Sequence, residues 1–212
     1  KELGDKLNSE KYKITILSNI IVHQSGEILE FLLRYNNINA KVNFGDYDNI
    51  VQDSKKYNNQ NAVIVFFELC NLINGFQYKI DLLDDNQTNA IYDKTISEID
   101  LILKNLRNTS LILFNTFSSF AFSSPNAVNN RFNNFCHKLN RHLMDYKLPN
   151  LKIVQLDKII ALTGVSRCFD LRYYYSSKSL YKIDFFKAYS SYVEPYFIAA
   201  NGKSRKAIIF DC

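Results

Sequence analysis

Ala62-Val63-Ile64-Val65-Phe66-Phe67 is an apolar run with no polar break. A strand that is wet on one face alternates apolar with polar residues, whereas a strand covered on both faces reads as a continuous apolar run. The stretch therefore predicts a central strand of a parallel sheet with helices packed on both sides. Shorter runs of the same kind recur on either side of it. Lys13–Asn19 reads as a first buried strand, Ala40–Phe44 as a second, Ser110–Asn115 as a fourth and Leu151–Leu156 as a fifth.

Helical patterns fill the intervals. Glu27–Tyr35 and Tyr47–Lys56 are helices, the second bounded by the Asn58–Asn61 polar tract. Asn86–Asn105 and its flank carry Ile91, Thr95, Ile99, Ile102 and Leu106 close to one face. Asn126–Tyr146 turns Phe132, Phe135, Leu139 and Leu143 inward. Asp157–Leu162 is a short helix that Gly164 stops. Ile183–Ala199 is a last helix, which Pro195 is expected to kink or break. Tyr78–Gln87 and the first twelve residues are polar enough to be mobile. Ala207–Asp211 is a sixth apolar run. Strand and helix alternate throughout, which predicts a flavodoxin-like, doubly wound α/β fold with a mostly parallel five-stranded sheet.

Composition narrows the function classes. Apolar residues make up 47% of the 212 residues, enough for a packed core. A net charge of +5 is too small and too dispersed to indicate nucleic acid as a partner, and the Lys203–Lys206 cluster reads as a solvated turn. No apolar run approaches the about 20 residues of a membrane span, so no membrane partner is expected. Cys70, Cys136, Cys168 and Cys212 form no paired motif, and His23, His137 and His142 lack zinc spacing. Free thiols in a reducing cytoplasm are the expectation. Two sequons, at Asn86 and Asn108, carry no weight in so asparagine-rich a chain.

In an open parallel sheet a ligand binds beyond the carboxyl ends of the strands. The polar residues expected there are Ser18, Asn19, Glu68, Asn71, Asn115 and Asp157, with Ser118 just beyond the fourth strand. A hydrolase would use a hydroxyl from Ser18 or Ser118 and oxyanion donors from Asn19, Asn71 or Asn115. The same residue types also cap the helices that follow. No histidine is well placed as a base. Phe169–Tyr175 (FDLRYYY) reads as an aromatic, charged loop that either covers a site or neighbouring domain or folds its rings into the core. No Gly-rich phosphate loop follows the first strand, which argues against a simple nucleotide- or flavin-binding domain.

The final residues carry a resemblance. Lys206–Cys212 (KAIIFDC) resembles the opening of the DxDxTLWGG motif of FkbH-like proteins, subfamily IIIC of the haloacid dehalogenase (HAD) superfamily, with Asp211 as its first aspartate. Phe169–Leu180 (FDLRYYYSSKSL) and Lys138-Leu139-Asn140 are similar to segments of the same proteins. The resemblance implies an SGNH-hydrolase-like amino-terminal domain over residues 1–200, then a linker and the first strand of a HAD domain over residues 201–212. It also implies a catalytic and metal-binding role for Asp211 in an intact HAD domain that uses Mg2+, with no cofactor for residues 1–212 alone. The implied partners are that carboxy-terminal HAD domain and an acyl carrier protein. The implied activity is phosphoryl or glyceryl transfer in polyketide or surface-polysaccharide biosynthesis.

The chain departs from the SGNH pattern at two places. Ser18-Asn19-Ile20 stands where Gly-Asp-Ser would, so Ile20 holds the nucleophile position. Asp170-Leu171-Arg172-Tyr173 stands where Asp-x-x-His would, so Tyr173 replaces the base. Isoleucine cannot attack an ester, and tyrosine is a poor base at neutral pH. The expectation is a non-catalytic module whose binding residues are Ser18, Asn19, Glu68, Asn71, Asn115, Asp170 and Tyr173. The alternative is an active esterase or acyltransferase that uses an unorthodox serine.

Overall fold

The computed structural model describes residues 10–122 and 130–203. Its frame is a five-stranded, fully parallel sheet: β1 (Tyr12–Ser18), β2 (Ala40–Phe44), β3 (Ala62–Phe66), β4 (Leu111–Asn115) and β5 (Leu151–Val154), in the order β2-β1-β3-β4-β5. All five residues of β3 are buried, as its unbroken apolar sequence requires. Successive residues face opposite layers. Ile14, Ile16, Ile64, Phe66 and Leu113 enter one core, while Leu17, Val63, Val65, Ile112 and Phe114 enter the other.

The helices divide accordingly. α1 (Gln24–Tyr35), α6 (Leu156–Thr163) and α9 (Ile183–Ala200) pack in the first core. α2 (Ile50–Lys56), α4 (Asp85–Leu106) and α5 (Arg131–Asp145) line the other face. The chain leaves β1 toward one face and returns from β2 across the other, so the strand order reverses between β1 and β3. That reversal is where an open sheet forms its crevice. No helix among the described residues is long and apolar enough to cross a membrane.

Three expectations from the sequence need correction. First, residues 78–87 are structured: α3 (Phe76–Lys79), a 3-10 turn (Ile80–Leu82) and the start of α4. Asp84 and Gln87 form a reciprocal capping box there, a local signal strong enough to fix a polar stretch. Second, α9 runs through Pro195 without ending. Val193 and Phe197, both buried, anchor the helix on either side of the proline, and packing outweighs one lost backbone bond. Third, Phe169–Tyr175 is no loop. After α7 (Val165–Cys168), Asp170 caps α8 (Leu171–Ser177) by accepting the Arg172 and Tyr173 N–H groups. Of its rings, Tyr174 is buried while Tyr173 and Tyr175 are exposed. Cys70, Cys136 and Cys168 are buried free thiols. Residues 1–9 and 126–129, the sixth apolar run, Asp211 and Cys212, for which the sequence also raises expectations, lie outside the described residues.

The turn after β2 is the tightest joint of the frame. Asp53 on α2 is buried, and its carboxylate accepts the Asp46 N–H at 2.6 Å and the Asn49 amide at 3.2 Å. That approach needs a residue without a side chain at Gly45. A Cβ there would stand 2.5 Å from Asp53 Oδ2 and 2.8 Å from Leu17 Cδ2. Gly45→Ala is expected to destabilise the fold by about 1–3 kcal/mol, the usual cost of overpacking. Urea unfolding measures this, and a variant as stable as the parent would show that the turn yields freely.

Candidate functional site

The crevice between β1 and β3 is bound shut by one side chain. Asn19, buried just past β1, donates from Nδ2 to the Glu68 carbonyl at 2.9 Å. Its Oδ1 accepts the Glu68 N–H at 2.8 Å. A second amide seals the outer wall, where Asn71 donates to the Asn19 carbonyl and to the Tyr47 hydroxyl. Both asparagines are therefore occupied in joining the loops after β1, β2 and β3. Asn71 Nδ2 uses two donors in this way, and Asn19 uses its Oδ1 and one donor.

Ser18 is similarly engaged. Its hydroxyl donates to the Ile20 carbonyl at 2.7 Å and accepts the Ile20 N–H at 3.0 Å. It lines a cavity of about 40 Å³ with Ile20, His23, Gly45 and Tyr47. That volume suits a water rather than an ester. His23, exposed, sets its ring edge-on against Phe44, with 4.6 Å between centroids. The remaining histidines lie on α5: His137 is exposed, and His142 pairs with Asp100 at 2.7 Å. Ser118 is half-buried beyond β4, and its hydroxyl accepts the Phe120 N–H at 3.3 Å.

Glu68 is the ionisable group at the centre of the site. It is buried, and Oε1 accepts the Tyr181 hydroxyl at 2.7 Å. Burial lifts its pKa to about 7; the Tyr181 hydrogen bond opposes the rise, and the charge of Asp157 adds to it. Burial and the neighbouring Glu68 carboxylate push the Tyr181 phenol well above its usual range, so Tyr181 stays a donor. Its ring stacks on Phe185 at 3.8 Å, which fixes the hydroxyl in place. Beside this pair, burial raises the Cys70 thiol to about 12 and removes it as a nucleophile. The Tyr174 hydroxyl donates to the Cys70 carbonyl at 2.7 Å.

The other candidate residues disperse. Asn115 faces the core, where Oδ1 accepts the Tyr189 hydroxyl at 2.8 Å and Nδ2 has no partner among the described residues. Asp157 is exposed in the first turn of α6. Asp170 is a helix cap, and Tyr173 points to solvent. The structure thus gathers Ser18, Asn19, Glu68 and Asn71 at one place. Tyr181 and Tyr47 complete that group. Neither is marked in the sequence, because each meets its partner only through the fold, Tyr181 lying 113 positions from Glu68.

No protein-family model and no curated protein matches this chain. Solved structures do resemble it. The N-terminal part of the Bacteroides fragilis protein BF1531, described as containing a phosphatase domain complexed with Mg, superposes with a TM-score of 0.77 at 17% identity, over 97% of this chain and 56% of that one. The salicylyl-acyltransferase SsfX3 of a tetracycline biosynthetic pathway gives 0.50 at 9% identity, over 92% and 56%. BT4096, a gut microbial diltiazem-metabolizing enzyme, gives 0.54 at 14% identity, over 95% and 49%. At these identities the likeness is one of fold, and it agrees with the five-stranded parallel α/β architecture. The chain spans about half the length of each solved chain.

Glu68 links this site to pH. Its folded pKa, about 7, lies above that of an unfolded glutamate. The native state therefore holds the proton more tightly. The corresponding stability is complete below the unfolded value and is lost as pH rises through about 7. Glu68→Gln keeps an acceptor for Tyr181 and removes the charge. It is expected to gain on the order of 2 kcal/mol over the parent at pH 8 and almost nothing at pH 4. Urea unfolding across that range tests it, and parallel curves for the two proteins would refute the assignment.

Proposed function

We propose that this chain is the non-catalytic, SGNH-like amino-terminal module of an FkbH-like HAD-family enzyme. The intact enzyme would carry out phosphoryl or glyceryl transfer to a carrier protein in polyketide or surface-polysaccharide biosynthesis. The observation that carries the reading is the Ser18 hydroxyl, closed onto Ile20 on both its donor and acceptor sides. A nucleophile needs a base to take its proton, and here the proton is committed to a carbonyl. The likeness to the N-terminal part of a protein with a phosphatase domain supports placing the chemistry elsewhere in the full-length protein.

In this reading the strand-end loops form a rigid face that positions the HAD domain or the carrier, and Mg2+ belongs to the HAD domain with Asp211. Asp211 lies outside the described residues. Among the described residues no three His, Cys, Asp or Glu side chains come together as a metal site.

One observation favours the second reading, an esterase or acyltransferase. Ser18 and His23 line the same small cavity. A shift of the Ile20 loop that freed the hydroxyl would bring the two closer to a nucleophile–base pair.

Two assays separate the readings. Residues 1–212 should release no p-nitrophenol from p-nitrophenyl acetate above the protein-free rate, with no change in Ser18→Ala. Turnover abolished by Ser18→Ala would establish the esterase instead. The full-length protein should hydrolyse p-nitrophenyl phosphate only with Mg2+, and Asp211→Asn should lower that rate by at least about a thousandfold, as loss of a nucleophile does.

A further inference from the structure

At the opposite end of the sheet from the crevice, α4 and α5 finish side by side. Between the last turns of α4 and the segment after α5 lies a trough of about 490 Å³. Its accessible apolar surface comes from Leu101, Tyr146 and Leu148, with the buried Leu103 beneath them. Leu101 is 44% exposed. The rim carries Lys104, Arg107 and Lys147, and none of the three takes part in an ion pair among the described residues. The acid in the lining, Asp100, is held by His142.

The carboxyl ends of two helices favour nearby cations. That accounts for Lys104 at the end of α4. It does not account for an exposed leucine that lines the same trough as Lys104, Arg107 and Lys147. An apolar floor with an unpaired cationic rim is complementary to aliphatic side chains flanked by carboxylates.

We infer that this trough docks an acidic, leucine-bearing peptide segment of a partner protein. The contact is independent of Ser18 and Glu68 and holds whichever reading of the crevice is right.

The test uses fluorescein-labelled peptides with a Leu-x-x-Leu core between glutamates, titrated with the chain and followed by fluorescence polarisation. Saturable binding is expected, weakening as salt screens the rim. The triple variant Lys104→Glu, Arg107→Glu, Lys147→Glu should bind about tenfold more weakly or worse, since each exposed pair contributes a fraction of a kcal/mol. It should instead bind a version of the peptide with lysine flanks, which shows that it remains folded. Leu101→Ser should weaken both pairings. No saturable binding by the glutamate peptide, or equal binding by the triple variant, overturns the inference. So does binding to vesicles of anionic phospholipid that the peptide fails to displace, which would make the basic rim a membrane contact.

Discussion

The Asn19 side chain holds β1 to β3 beyond the point where the backbone ladder ends. A parallel ladder stops when two strands diverge into their loops, and the switch point then opens into a crevice. Here the Asn19 amide continues the pairing for one more step, matching both the N–H and the carbonyl of Glu68. A buried, doubly matched amide is costly to break, because either half left alone loses its partner away from water. The placement of Ser18, Glu68 and Asn71 follows from this closure. Ser18 must turn back onto Ile20, Glu68 is carried inward toward Tyr181, and Asn71 is drawn across to Tyr47.

A buried carboxyl group is usually a liability. Glu68 is tolerated because Tyr181 supplies a donor from a ring clamped against Phe185, and because its raised pKa lets it hold a proton, and so stay neutral, below about pH 7. This is polar architecture suited to holding loops in one geometry. A hydrolase requires a different balance, with a nucleophile whose proton is free to leave and a base oriented by a third group.

The frame of the fold was legible from the chain. Continuous apolar runs located all five strands to within two residues at their ends, since a strand covered on both faces admits little else. What resisted reading was local chemistry within polar stretches. The capping box of Asp84 and Gln87 outweighed a polar composition, and Asp170 nucleated a helix from residues whose aromatic content suggested a lid. At the candidate site, Glu68 and Asn71 were found from their position after β3. Their partners were not, because Tyr181 and Tyr47 come from distant or unrelated loops and nothing local marks them. Asn115 shows the converse: its position predicted an outward role, yet Tyr189 draws it into the core.

Among the described residues, the two strands that bound the sheet are short and poorly suited to extension. β2 has five residues and exposes Lys41 and Asn43; β5 has four and exposes Lys152. Unpaired edges are templates for further strands and hence for aggregation, and short length with outward lysines is a common safeguard. Assembly by edge-to-edge β-addition is thereby discouraged. Among the described residues this leaves the helical flanks and the loop ends as the surfaces better suited to association, where side chains rather than backbone pairing would decide recognition.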